Sequence, residues 1–161
     1  MELRCLTDDG ALVRAVQKHN LGVLPVQPPS FCYRRAEKDR YRLSWAAVTR
    51  GTCIVRGAAV AELELERGGQ RTVQLRTLAV SPQFRRQGVG RAIMEKLIQQ
   101  VKKVKEKEGE DIQVVSLHVH AGNDEALAFY EAQGFVRKAE IDDYYRHLEP
   151  RTAVVMEFSL D

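Results

Sequence analysis

The chain has 161 residues, 44% of them hydrophobic and 29% charged, which fits one domain, residues 1–161, and excludes a disordered chain. The formal net charge of +3 is too small to argue for a direct nucleic-acid partner, and no apolar run approaches the ~20 residues that span a bilayer. The start, MELRCLTDDG, lacks a signal-peptide layout. Cys5, Cys32 and Cys53 have no metal spacing, so a reducing, cytoplasmic setting without metal is expected.

Glu2 to Leu6 alternates briefly and reads as a first strand. Thr7, followed by two aspartates, is the expected cap of a helix carrying Leu12, Val13, Val16 and Leu21 and ending near Gly22. LPVQPPSF follows, and its three prolines exclude regular structure through its centre. This loop is either a plain surface crossing or a rigid wall for a ligand. From Leu43 to Val80 the period changes to two: Leu43–Thr49, Cys53–Glu66 and Gln70–Val80 read as an antiparallel meander. Ala61, Leu63 and Leu65 are expected on one face of the second arm, with Glu62, Glu64 and Glu66 on the other. Gly68-Gly69 makes its turn.

The third arm leads into LAVSPQFRRQGVGRAIMEKL, a strand end, a basic turn and an amphipathic helix that buries Ile93 or Met94, Leu97, Val101 and Val104. No side chain in Arg85-Arg86-Gln87-Gly88-Val89-Gly90 suits a helix cap, so the first amides of the helix stay available. With the positive end of the helix dipole behind them, they make a site for phosphate. Gly88 and Gly90 allow close approach and positive φ, and Arg85, Arg86 and Arg91 add charged donors. The helix tail, KKVKEKEGE, interleaves acids with lysines and reads as a solvated end stopped at Gly109. Gln113–His120 is the next strand, Asn123-Asp124 a cap, Ala126–Gln133 a helix and Gly134 its stop. Phe135–Ile141 and Ala153–Leu160 close the chain as strands, separated by DDYYRHLEP.

Two adjacent strand–helix units, one with a phosphate turn, place a ligand where parallel strands diverge. LAVSPQFRRQGVGRAIMEKL followed by LHVHAGNDEALAFYEAQGF resembles the GCN5-related N-acetyltransferases, whose acyl-CoA motif is filled by Arg85, Gly88 and Gly90. YYRHLEP and the early LPV are similar to the protein N-α-acetyltransferases of the NatE (San) type. The resemblance implies an α/β fold: a central, mostly antiparallel mixed sheet with one splayed parallel pair, flanked by helices. It implies acetyl-CoA as cofactor, a peptide or protein N-terminus as substrate, and ribosome-associated acetyltransferase subunits as partners. Leu78, Ala79 and Val80 would meet the pantetheine and acetyl carbonyl, and the amides of Arg85, Arg86, Gln87, Gly88, Val89, Gly90 and Arg91 the pyrophosphate. Asn123 would touch the CoA arm, and Tyr130 would lie near the sulfur as proton donor, with Phe129 beside it packing the core; the alternative for Tyr130 is a helix residue that packs the core as well. His118 matches the strand histidine that serves as base; the alternative is a half-buried histidine satisfied by backbone. Leu24, Pro25, Val26, Tyr33, Tyr144 and Tyr145 would wall the peptide, or else be a loop packed on the core.

One departure stands out. The San-type tyrosine three residues ahead of Thr77-Leu78 is Gln74 here, which cannot act as a base, and Arg76 replaces an apolar substrate contact. A guanidinium there would favour an acidic side chain near the peptide's start. A peptide α-amine has a reference pKa of about 7.7–8.0 against about 10.4 for lysine, a difference of roughly 3.4 kcal/mol in deprotonation at neutral pH. A lone histidine base therefore suits an α-amine. An acetyltransferase for lysine or a small amine, and a non-catalytic acyl-CoA-binding subunit, are the alternatives.

Overall fold

The computed structural model describes residues 1–161. Its elements begin with β1 (Glu2–Cys5), α1 (Gly10–Val23), α2 (Phe31–Glu37), β2 (Trp45–Val48), β3 (Val55–Leu65) and β4 (Arg71–Val80). They continue with α3 (Val89–Lys107), β5 (Ile112–His120), α4 (Asp124–Ala132), β6 (Val136–Ile141) and β7 (Ala153–Ser159). Hydrogen bonding orders the strands β1-β2-β3-β4-β5-β7-β6, a mixed sheet in which β4 and β5 are the parallel pair. Their ladder runs from Arg71↔Ile112 to Leu75↔Leu117 and stops, so Arg76–Val80 continues without a β5 neighbour. The chain divides into two compact units, Met1–Glu62 with Arg76–Glu110, and Leu63–Leu75 with Asp111–Asp161.

In the first unit, Asp9 rather than Thr7 caps α1: its carboxylate accepts from the Ala11 amide at 2.9 Å. Leu6–Asp8 forms a 3-10 turn, and Thr7 instead donates to Cys5 Sγ at 3.2 Å and accepts from Arg42 at 2.8 Å. α2 is an element that the proline signal hid. Pro28 and Pro29 end the irregular stretch, and the Cys32 amide bonds back to Pro29 at 3.0 Å. Cys32, Tyr33 and Ala36 then share one buried helix face. Cys32 thus sits on a helix, and Cys53 is exposed ahead of β3 rather than on a strand. Leu6, Leu12, Val16, Cys32, Tyr33, Val48, Ala58 and Val60 form the core here, while α3 buries Val89, Ile93, Met94, Leu97, Val101 and Val104. The alternation expected for β3 fails at its end, where Leu65 is 67% exposed.

In the second unit Leu127, Tyr130, Phe135, Leu117 and Met156 are all buried. Asn123 caps α4, its Oδ1 accepting from the Ala126 amide at 3.1 Å, and Gly134 (φ 100°) ends it. Tyr130 lies edge-on to Phe129 and Phe135 at 5.3 and 5.6 Å. Tyr130 is buried, and Phe129, expected in the core, is only half-buried, because the core-facing positions of this helix are Leu127 and Tyr130.

Gly57 sets how closely β3 approaches β4. A Cβ there would meet the Ala79 carbonyl at 2.9 Å, with Val89 and Val80 methyls at 3.1 and 3.2 Å. A backbone oxygen cannot yield, so Gly57→Ala should cost about 1–3 kcal/mol. Gly22→Ala, in the open on α1, should be neutral or stabilising by up to ~1 kcal/mol. Chemical denaturation of both variants checks the contrast; equal stabilities would refute it. Burial also raises three tyrosine pKa values, those of Tyr33, Tyr130 and Tyr145, the last to about 12. A raised acid pKa stabilises the fold fully below the unfolded value of 10 and loses that contribution as pH climbs toward 12. Absorbance titration at 295 nm should show part of the phenol signal delayed until unfolding, with stability falling from about pH 10 upward.

Candidate active site

β4 ends at Val80, and a 3-10 turn, Pro82–Phe84, carries the chain to α3. Gly88 is the N-cap at φ 79°, a left-handed conformation that glycine adopts without strain, and no side chain caps the helix. Gly90 has ordinary helical geometry; the second left-handed residue of the turn is Arg86, at φ 59°. The amides from Arg86 to Gly90 have no backbone acceptor, and a Cβ on Gly88 would meet nothing within 4 Å. The turn therefore presents consecutive donors to open space at the positive end of a 19-residue helix, an arrangement that fits a pyrophosphate. Its arginines are not equivalent. Arg85 Nε donates to the Val80 carbonyl at 3.1 Å and Arg91 pairs with Glu95 at 2.9 Å, whereas Arg86 has no polar partner. Upstream, Thr77 Oγ1 is buried with no hydrogen-bond partner, an orphan group on β4 immediately before Leu78.

Behind this strand end lies a polar chain that sequence reading missed. His19 Nε2 meets Ser81 Oγ at 2.8 Å and its Nδ1 meets Asn20 Oδ1 at 3.0 Å. Asn20, wholly buried, donates to the Tyr33 hydroxyl at 3.0 Å. Tyr33 is thus a core residue, 3% exposed, and not a surface wall. Leu24, Pro25 and Val26 do lie on the loop between α1 and α2, where Gln27 donates to the Asn20 and Leu24 carbonyls at 3.0 and 2.9 Å. Val26 is 49% exposed.

Arg76 differs from expectation. Its Nε and Nη2 both donate to Glu62 Oε1, at 3.0 and 2.7 Å, and Arg35 reaches Oε2 of the same carboxylate at 3.4 Å. The guanidinium already holds an anion. No sequence signal marks Glu62, which shares its alternation with Glu64 and Glu66 and meets both arginines only through folding.

In the second unit Gln74, almost fully buried, brings its amide nitrogen to within 3.3 Å of His118 Nδ1. As the amide stands, its NH2 donates and Nδ1 accepts; turned over, Oε1 would accept from an Nδ1–H, so the glutamine fits either tautomer of the ring. Tyr144 stacks on His118 with centroids 5.0 Å apart and planes 10° from parallel. Tyr145 packs edge-on against Tyr144 at 4.9 Å and against His120 at 5.4 Å. Four predicted site residues, Gln74, His118, Tyr144 and Tyr145, are therefore brought together. Tyr130 shares this unit; burial lifts its pKa well above 10, with a further push from Tyr145, and its hydroxyl has no protein partner. His120 Nε2 lies 2.6 Å from the Pro150 carbonyl and so carries the ring proton. No cluster of three or more metal-ligating side chains occurs.

Residues 16–135 match the model of the acetyltransferase (GNAT) family. The [ribosomal protein bS18]-alanine N-acetyltransferase of Escherichia coli is 38% identical over 80 residues, 49% of this chain and 50% of that protein. N-alpha-acetyltransferase 50 of Danio rerio is 32% identical over 91 residues, covering 56% of this chain and 51% of the relative. The probable N-acetyltransferase san of Drosophila melanogaster is 30% identical over 107 residues, covering 66% and 55%. The chain thus spans about half the length of the curated relatives it matches. Among solved structures, Arabidopsis thaliana Naa50 in complex with the bisubstrate analogue CoA-Ac-MVNAL has the same fold, with a TM-score of 0.82 at 24% identity over 99% of this chain and 98% of that one. With its family model covering the phosphate turn, β4, β5 and α4 together, the chain belongs to the acetyltransferase (GNAT) family.

Proposed function

We propose that residues 1–161 form one acetyltransferase domain that moves an acetyl group from acetyl-CoA to the N-terminal α-amine of a peptide or protein. The observation that carries this reading is the run of uncommitted amides from Arg86 to Gly90 at the start of α3. The relatives named as N-α-acetyltransferase and alanine N-acetyltransferase support the choice of amine. In this reading the turn amides and Arg86 hold the pyrophosphate, and backbone groups of Leu78, Ala79 and Val80 hold the pantetheine. Arg85 must release the Val80 carbonyl if that group is used. Asn123 keeps Oδ1 on its helix cap and offers only its NH2 to the CoA arm.

Acetyl-CoA supplies a thioester carbonyl open to attack by a neutral amine. His118 takes the proton that the amine must lose. Gln74 cannot ionise, so the proton stops at one residue rather than passing to a second. With the Gln74 amide turned so that Oε1 accepts from Nδ1–H, Nε2 keeps the lone pair that takes the amine's proton, and the same Oε1 still serves Nδ1–H once the ring is charged. The glutamine thus serves both charge states of the histidine. Tyr130 is a weak acid here. With a pKa above 10 it holds its proton more tightly than a thiol of about 8.5, so it gives a hydrogen bond to the departing sulfur while solvent supplies the proton. Tyr144 and Tyr145, with Leu24, Pro25 and Val26, contact the first peptide residues. Glu62 already neutralises Arg76, so an acidic second residue gains from the exposed Arg35 rather than from a free Arg76. Ribosome-associated acetyltransferase subunits and a cytoplasmic setting complete the proposal.

Gly88→Glu should abolish CoA binding, since it sets a carboxylate among the phosphate donors and forces a non-glycine residue to φ 79°. Calorimetry on the unaltered protein should give CoA a far higher affinity than pantetheine, and equal affinities would remove the phosphate role. On a peptide panel varied at the first two residues, His118→Ala should lower kcat by about 10²–10⁴-fold with the KM for acetyl-CoA nearly unchanged. A loss below about threefold in a variant that melts normally would return His118 to a structural role.

A further inference from the structure

The loop between β6 and β7, residues 142–152, carries Tyr144 and Tyr145, and His120 reaches it at Pro150. Its backbone is tied to itself, the Tyr144 and Tyr145 amides both donating to the Arg151 carbonyl at 3.0 Å. Those bonds shape the loop, and the Ala121 amide joins its last residue to the end of β5, donating to the Thr152 carbonyl at 2.9 Å. His120 holds the loop further back, toward the tyrosines, in two ways. Its Nε2–H donates to the Pro150 carbonyl at 2.6 Å, and its ring meets Tyr145 edge-to-face at 5.4 Å with planes 89° apart. Tyr145 in turn meets Tyr144 edge-on, and Tyr144 lies flat on His118. His120 therefore stands at one end of a ring-to-ring chain whose other end is the proposed base.

Gly122 is cut to fit this contact. A Cβ there would lie 2.9 Å from His120 Cε1, 3.1 Å from Pro150 Cδ and 3.4 Å from His120 Nδ1. Its φ is not left-handed, so the absence of a side chain serves space and not backbone conformation. Glycine, histidine and proline close on one another as a clasp.

We propose that His120 is a positioning residue that clasps the β6–β7 loop to β5 and thereby sets the Tyr144 ring against His118, fixing the aromatic wall that receives the peptide's first residues. The last clause rests on the acetyltransferase reading above; the clasp itself does not. Two β5 histidines two residues apart thus divide the work. His118 faces the amine, and His120 holds the loop that covers it.

The test uses the whole chain without ligand first. The Cε1 proton of His118 is shielded by the stacked Tyr144 ring, so its NMR resonance should move downfield in His120→Ala. Gly122→Ala, which leaves every ring in the protein and pushes His120 off Pro150, should move it the same way. His120→Gln, whose amide N–H can still reach the Pro150 carbonyl, should stay near the original position. With peptide substrate, His120→Ala and Gly122→Ala should raise the peptide KM about tenfold, the loss of one hydrogen bond and one aromatic contact, with the acetyl-CoA KM unchanged. An unmoved His118 resonance in both alanine variants would overturn the clasp. A moved resonance with an unchanged peptide KM would overturn its role in positioning the wall. If the unaltered protein transferred acetyl to no peptide, the function would fall while the NMR result still decided the clasp.

Discussion

Backbone polar groups inside a protein need partners, and β4 runs out of one. Its parallel ladder with β5 ends at Leu75↔Leu117, five residues before the strand does. On that side Arg76–Val80 has no strand to bond, and the chain then enters a turn whose amides from Arg86 to Gly90 are also unclaimed. Unpaired donors and acceptors are tolerated where water or a ligand replaces the missing strand. An extended molecule with amides at one end and phosphates at the other matches that unpaired edge. The orphan Thr77 hydroxyl, on the same stretch of strand, is a further polar group left for such a partner.

In the proposed reaction, the chemistry around His118 would rest on a partner that hydrogen-bonds but cannot ionise. Gln74 has both a donor and an acceptor on one flat amide, so it accompanies the histidine through protonation without sharing the charge. That limits how much basicity the site can supply. It suits an amine already close to losing its proton at neutral pH, which is the property separating a peptide α-amine from lysine. The same economy applies to Tyr130, whose burial makes it a better hydrogen-bond donor than acid.

Charge is arranged just as tightly. Glu62 binds Arg76 through both Nε and Nη2 and touches Arg35 as well, so two cations share one half-buried carboxylate. Arg35, 61% exposed against 30% for Arg76, is the more solvent-facing of the two cations. An exposed guanidinium is heavily screened, so any selectivity that the proposed function draws from it would be modest and salt-sensitive.

The turn, the order of strands and helices and the two strand–helix units were legible in the sequence because they are local. Periodicity of two or 3.6, glycine stops at Gly109 and Gly134, and the Asn123 cap depend on neighbours within a few residues. What failed locally did so for a local reason: Asp9 outcompeted Thr7 because a 3-10 turn came first, and the prolines concealed how soon α2 begins after them. Tyr33, Glu62 and His120 belong to another class. Each looks ordinary in sequence, a wall aromatic, one of three alternating glutamates and a second strand histidine. Their partners, Asn20, Arg76 and Pro150, lie 13, 14 and 30 residues away. The sequence alone determined which residue types were available to hold phosphate and take a proton. Only the tertiary structure decided which of them were already committed, because a charge or hydrogen bond is satisfied by whatever folding brings within about 3 Å, irrespective of distance along the chain.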